Sequence, residues 1–206
     1  MGKLAKKMKI SLIPFYSSYL NNNIFDSVKL NARDGVLEPY IKLKEFFESK
    51  NNEINTVDIT PIKEADFIIF FDLNLKYILQ TFVSNKLHKS IYIPFEPPVV
   101  RELHKPESLR WISKLFDAVL TWQDDLVDNQ KFFKFYFPMP SQPIEHEKIN
   151  FHDKKYITTI VGYKQSNKPN ELYSKRMEAI RYFESKYDNF LELDGIKMSL
   201  NHIKEK

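Results

Sequence analysis

Two side chains in this sequence stand where their types could do chemistry. Glu96 lies in the run IYIPFEPP, at the C-terminal end of an apolar stretch, between Phe95 and Pro97-Pro98. A carboxylate held there can take a proton from a hydroxyl. The two prolines restrict the backbone beside it and so help to hold it in place. The same position also suits a plain exposed acid on a turn. Arg176 is the second. Leu172, Ala179, Ile180 and Phe183 share a helical face with it, at offsets of three, four and seven residues. An arginine on an apolar stripe must find an anion or reach out to water. An internal carboxylate, a snorkelling side chain and a ligand phosphate gripped bidentately all meet that need.

Arg176 belongs to a strand–loop–helix pattern. Residues 156–161 read as a strand, 162–168 as a polar loop, and a helix is expected to start near Pro169. Helix N-termini collect partial positive charge and free N–H groups, so an anion such as a diphosphate suits this place. Lys164, Lys168 and Lys175 add positive charge nearby, although each alone is an ordinary surface lysine. Trp122 follows another strand end and could stack on a sugar ring or simply fill the core. Asp124-Asp125 could meet a divalent ion, start a helix or lie on a solvated turn. The five histidines are scattered without metal-ligand spacing, and the four glycines (Gly2, Gly35, Gly162, Gly195) make neither a dinucleotide fingerprint nor a phosphate-binding P-loop.

The elements that must position these groups alternate. Strands are expected over residues 9–15, 53–60, 65–72, 90–95, 118–122 and 132–137. Helices are expected over 35–50, with Asp34 as a cap, over 74–83, with Leu75, Ile78, Leu79 and Phe82 on one face, and over 102–116. Residues 123–129 read as a turn into a short helix. The alternation argues for a doubly wound parallel sheet in an α/β, Rossmann-like domain over residues 1–140. Residues 141–153, within a proline-punctuated stretch (Pro138, Pro140, Pro143), read as a linker. Residues 154–206 begin a second α/β domain, with a further strand at 189–193.

Composition bounds the rest. The chain has 206 residues, 43% hydrophobic, with 17 Phe and 11 Tyr, which allows a real core. No cysteine is present, so disulfides and thiolate metal sites are excluded. A net charge of +4 without a basic stripe suits an anionic small ligand or a membrane surface and does not call for nucleic acid. No run approaches the roughly 18–20 apolar residues of a membrane span. The basic start MGKLAKKMK reads as a solvated cluster before the first strand or as a weak electrostatic tether to a membrane. A cytoplasmic chain, at most peripheral at the inner face of a membrane, is the expectation.

Three stretches carry a family resemblance. GYKQSNK followed by NELYSKRMEAIRYFE resembles the strand end and helix of the bacterial α1,3/α1,4-fucosyltransferases, glycosyltransferase family 10. FDAVLTWQDDLVDNQKFFKFYFPMP is similar to that family's Thr-Trp-Asn-Asp-Asp-Leu segment, and PFEPPVVRE to its Glu-(Ser/Pro)-Pro motif. ADFIIFFDL fits the strand before it. The resemblance spans roughly residues 8–195. It implies a GT-B architecture: an acceptor-side N-terminal domain and a C-terminal domain that binds GDP-fucose. It implies inverting transfer to a hydroxyl of a surface-glycan or oligosaccharide acceptor, with no metal and no cofactor. By position Glu96 would be the general base. Arg176 would pair with the donor diphosphate, with Lys164, Ser166, Asn167, Lys168 and Tyr173 as its donor-side neighbours. Trp122 and Asp124 would lie on the acceptor side.

The chain also departs from the pattern. The family's Glu-Asn…Tyr-(Val/Ile)-Thr-Glu-Lys segment, with its second cationic contact to the donor, has no counterpart here. Where the family reads Leu-Tyr-Gly-x-Gly-Trp, this chain has Leu193-Asp194-Gly195-Ile196-Lys197-Met198. The expectation is therefore a C-terminally truncated member with an incomplete donor site and little or no turnover. The alternative is a non-catalytic glycan-binding fragment of such an enzyme.

Overall fold

The computed structural model describes residues 7–30, 35–139, 150–153, 157–160, 164–169, 171–186 and 191–194. It divides the chain into two units, Met1–Ile144 and Glu145–Lys206. In the first unit, six apolar runs become strands: β1 (Lys9–Ile13), β2 (Glu53–Thr56), β3 (Phe67–Phe70), β4 (Ser90–Tyr92), β5 (Ala118–Thr121) and β6 (Phe132–Lys134). They form one sheet in the order β2-β1-β3-β4-β5-β6, and every pairing is parallel. Leu12 stands between Thr56 and Ile69, Ile69 beside Ile91, and Ile91 beside Ala118. This is the doubly wound, Rossmann-like α/β arrangement expected from the alternation of elements.

A parallel sheet buries both faces, which is why its strands read as continuous apolar runs. On one face Ile13, Ile68, Phe70, Tyr92 and Val119 pack with Leu109 and Ile112 of α3 (Pro106–Ile112) and with Tyr77 and Ile78 of α2 (Leu75–Val83). On the other, Ile10, Leu12, Ile54 and Ile69 pack with Leu37 and with Tyr40, Ile41 and Phe47 of α1 (Glu38–Ser49). The helices after β1 and β3 thus cover opposite faces. Where two such connections diverge, a crevice opens at the C-terminal ends of the strands.

The connection between β2 and β3 has no helix. It is pinned by Lys86, whose Nζ donates to the carbonyls of Ile62 at 3.0 Å and Lys63 at 2.9 Å and also to that of Ala65. Burial lowers the pKa of this ammonium.

Several elements differ from expectation. The helix expected over 102–116 is broken into a 3-10 turn (Glu102–His104), α3, and a second 3-10 turn (Ser113–Leu115). Pro106 is the cause: it holds Lys105 in an extended conformation (φ −61°, ψ 145°) and restarts the helix as its first residue. The last strand ends at Lys134, short of 137. α1 starts after Leu37, which offers no side-chain cap, and Asp34 lies outside the described residues. α2 is capped by Asn74, whose side chain accepts from the Lys76 amide at 3.0 Å. Its expected apolar face is split. Ile78 packs into the core with Tyr77, but Leu75, Leu79 and Phe82 are exposed. α2 carries apolar residues on both sides, so periodicity alone does not tell which side turns inward.

Among the described residues, the second unit shows one βαβ pattern. β7 (Ile157–Ile160) pairs in parallel with β8 (Leu191–Asp194), with Ile157 opposite Leu191, and α4 (Tyr173–Lys186) lies between them in sequence. α4 starts at Tyr173, later than the expected start near Pro169. Among the described residues, no helix is long and apolar enough to cross a membrane.

The two faces of α2 give a direct check. Ile78→Ala, on the face packed against the core, is expected to cost about 2 kcal/mol or more through lost burial and the cavity left behind, whereas Leu79→Ala, on the exposed face, should stay within about 0.5 kcal/mol. Urea denaturation measures both, and comparable losses would contradict the assignment of inner and outer faces.

Candidate functional site

The crevice lies where β1, β3 and β4 end. A cavity of ≈300 Å³ is lined by Phe15 and Tyr16 after β1, Phe71 and Asp72 after β3, and Phe95, Glu96, Val100, Arg101 and His104 after β4. A smaller cavity of ≈130 Å³ shares Phe15, Tyr16 and Asp72 and adds Ser17, Asn74 and Tyr77. A larger one, ≈460 Å³, lies between α2 and the β2–β3 connection; Lys63 is the single charged residue in its lining, so it has no acid or base pair for catalysis.

Four aromatic side chains, Phe15, Tyr16, Phe71 and Phe95, make one wall of the crevice. Phe95 meets Phe15 at 5.4 Å and Phe71 at 5.0 Å between ring centres, and Phe15 meets Tyr16 edge-on at 4.9 Å. Tyr40 of α1 supports the wall from behind, 5.6 Å from Phe71. Burial, helped by the nearby Tyr19, pushes the Tyr40 phenol up to about 12.

The segment that carries Glu96, residues 93–105, has little regular structure and is fixed by side chains. The buried His104 ring joins two points. Its Nε2 lies 2.6 Å from the Tyr92 hydroxyl, and its Nδ1 bonds the Glu96 carbonyl. A carbonyl only accepts, so Nδ1 carries a hydrogen, and in the neutral ring Nε2 accepts from Tyr92. Burial holds His104 below the ordinary histidine pKa; the Glu96 carbonyl opposes this, and the Arg101 charge adds to it. Burial also pushes the Tyr92 phenol up. Gln123, after β5, donates to the His104 carbonyl at 2.9 Å. Arg101 pairs with the Asp72 carboxylate, which joins the segment to the end of β3. The Pro97 carbonyl accepts from the amides of Val100 and Arg101 at 2.9 and 3.0 Å, which closes the turn after Pro97-Pro98. The Glu96 carboxylate itself is on the exposed rim of the cavity.

The other expected residues fall in separate places. Trp122 and Asp124 follow β5 and do not line the cavity with Glu96. Trp122 is half-buried, and its buried indole N–H has no acceptor among the described residues. Asp124 is ion-paired with Lys134, whose Nζ also donates to the Trp122 carbonyl at 3.2 Å. Asp124 thus anchors β6, a role the sequence reading did not foresee. Among the described residues, no group of three His, Asp or Glu could hold a metal ion.

In the second unit, Lys164 and Asn167 are exposed, and the Ser166 hydroxyl accepts from the Lys168 amide at 3.2 Å. The amides at the start of α4 are already engaged. The Glu171 carboxylate accepts from Tyr173 N at 2.6 Å and Ser174 N at 3.1 Å, and also from the Ser174 hydroxyl. The Ser174 hydroxyl first, then the two amides, hold the Glu171 carboxyl below its usual range. An internal carboxylate therefore stands where a diphosphate was expected. Arg176 is exposed and lies over the Tyr173 ring, 5.7 Å from its centre. Its stripe is only partly inward: Ile180 is buried, Phe183 half-buried, and Leu172 and Ala179 exposed. Of the ways open to this arginine, reaching out to water describes the geometry.

Asp72, Arg101, His104, Phe15 and Tyr16 were not singled out from sequence. Asp72 follows a buried strand as Glu96 does, so the strand-end rule could have found it. His104 had no such signal, because its partners come from β4 and from the turn after it.

Comparisons of the chain with protein-family models, with curated proteins and with solved structures gave no match.

The histidine tie sets a pH dependence. His104 has a lower pKa folded than unfolded, so the unfolded chain takes up the proton first as pH falls. The stability it contributes is present above the unfolded value of 6.5 and is lost as pH drops through the lower folded value. Tyr92, Glu96 and Arg101 are the titratable groups facing the ring. Between pH 7 and 5 the wild-type chain should lose stability, and His104→Asn should lack that component. Parallel pH profiles for the two would show that the ring titrates normally in the fold.

Proposed function

We propose that the first unit binds an oligosaccharide acceptor in the β1/β3/β4 crevice and that the protein takes part in inverting transfer of fucose from GDP-fucose. Glu96 acts as the base. The acceptor oxygen attacks C1 of fucose, its proton goes to the Glu96 carboxylate, and the bond to GDP breaks with its electrons leaving on the diphosphate. The observation that carries this reading is the place of Glu96: on the rim of a strand-end crevice, beside an aromatic wall of Phe15, Tyr16 and Phe95. Aromatic rings suit the apolar faces of sugars, and a carboxylate beside them can reach a hydroxyl. The motif resemblance supports the choice of a GDP-sugar as donor.

On this reading the second unit is the donor side of a GT-B-like enzyme. Lys164, Lys168 and Arg176, with Ser166, Asn167 and Tyr173, face the diphosphate. Arg176 is exposed and therefore accessible to an anion. Trp122 and Asp124 keep a supporting place next to the acceptor crevice through the neighbouring Gln123. The compartment that fits a GDP-sugar is the cytoplasm, with a weak peripheral contact to the membrane through the basic N-terminal residues.

One observation favours a second reading, glycan binding without catalysis. The Glu171 carboxylate occupies the amides at the start of α4, where it would repel a diphosphate. Calorimetric titration with GDP and with a panel of neutral oligosaccharides separates the two. The transferase reading expects both to bind, weaker GDP binding in Arg176→Ala, and GDP release from GDP-fucose that Glu96→Gln lowers by about a hundredfold or more. Oligosaccharide binding alone selects the second reading. No oligosaccharide binding in either form would overturn both.

A further inference from the structure

The turn after β4 raises a question that the catalytic reading leaves open: what keeps Glu96 aimed. Its own carboxylate is exposed and lies on a segment without regular structure. Pro97 and Pro98 restrict the backbone after it but hold it to nothing. Among the described residues, the side chain that grips the Glu96 main chain is His104, through Nδ1 and the Glu96 carbonyl. That ring is 2% exposed, so it has no water to exchange with. Its other nitrogen is held at 2.6 Å by Tyr92, which is fully buried on the central strand β4. The His104 main chain is tied by Gln123 to the end of β5. The ring is therefore anchored to two strands and passes that anchorage to Glu96 on the rim of the crevice.

We infer that His104 is a positioning residue for Glu96: its neutral imidazole, fixed by Tyr92 and Gln123, holds the Glu96 carbonyl and so sets the direction in which the carboxylate enters the crevice. The geometry of the tie stands by itself; the task it serves rests on the glycosyl-transfer reading. The chemistry depends on the tautomer. Only the Nδ1–H form can donate to the Glu96 carbonyl while accepting from Tyr92. Ring nitrogens usually have their roles set by such a second partner, and groups that orient a reacting residue contribute to rate without touching substrate. Tyr92, Glu96 and Arg101 are the titratable groups that face the ring, and Arg101 is itself neutralised by Asp72.

Nuclear magnetic resonance of the full chain labelled with 15N-histidine tests the tie. The expected result is a neutral His104 with its hydrogen on Nδ1. An Nε2–H tautomer would overturn the assignment. Two variants then test the role. In His104→Asn the side-chain amide lies about where Nδ1 lies and can still donate to the Glu96 carbonyl. In His104→Gln it reaches about the place of Nε2 and keeps only the Tyr92 partner. With GDP-fucose and an oligosaccharide acceptor, His104→Gln should lower kcat roughly tenfold or more with KM within about twofold, while His104→Asn recovers most of the loss. A merely structural histidine gives equal losses in both, in step with Tm, and that outcome overturns the inference. Should the unsubstituted chain transfer no sugar, the functional reading fails separately, and the 13C carboxyl signal of Glu96 decides the positioning role. That signal should move in the Gln variant and stay in the Asn variant; equal movement in both overturns it.

Discussion

The structure depends on the constraint that parallel strands impose. Parallel neighbours cannot be joined by a tight turn, so each connection must cross a face of the sheet. Here the crossing after β1 lies on one face and the crossing after β3 on the other. Ile10, Leu12 and Ile69 on one face and Ile68 on the other are thereby buried, and the strand ends between the two crossings are left uncovered. The crevice is the geometric remainder of that winding. Its lining draws on side chains one to four residues beyond the ends of β1, β3 and β4, which is how Tyr16, Asp72 and Glu96 meet although they are 80 residues apart at the extremes.

A crevice made in this way supplies a place and no precision. Precision comes from polar ties in the segment after β4. Arg101 is neutralised by Asp72, His104 joins Tyr92 to Glu96, and Gln123 holds the result to β5. Each is a buried or half-buried polar group with a defined partner, as burial requires. Nearly all the remaining lining is aromatic. Such a surface offers stacking faces, one free-standing carboxylate and an internally balanced ion pair. That combination suits a neutral, hydroxyl-rich ligand better than a strongly charged one.

Much of the fold was legible because its signals are local. The apolar runs around Ile68–Phe70 and Ser90–Tyr92 mark buried strands, and Asn74 marks a helix start. Glu96 was legible for the same reason, since it ends such a run between a phenylalanine and two prolines. What was not legible needed the third dimension. His104 is one of five scattered histidines until Tyr92 and the Glu96 carbonyl are placed against it. α2 is apolar on two sides, so the sequence pattern does not tell that Tyr77 and Ile78 turn inward while Leu75, Leu79 and Phe82 stay exposed. Arg176 shares a stripe with Leu172 and Ala179, but that stripe is largely exposed, and the arginine rests on Tyr173. Glu171 has no sequence signal that sets it apart from the other charged residues beside the loop lysines Lys164 and Lys168. Its carboxylate changes the meaning of the helix start more than any of them.

On the proposed reading, a carbohydrate hydroxyl meets Glu96 in the β1/β3/β4 crevice. Nuclear magnetic resonance of the intact chain during titration with an oligosaccharide tests it most directly. The ring signals of Phe15, Tyr16 and Phe95 and the carboxyl signal of Glu96 are expected to move together with one binding curve. Shifts confined to α4 or to the exposed face of α2, with these four residues unchanged, would contradict it.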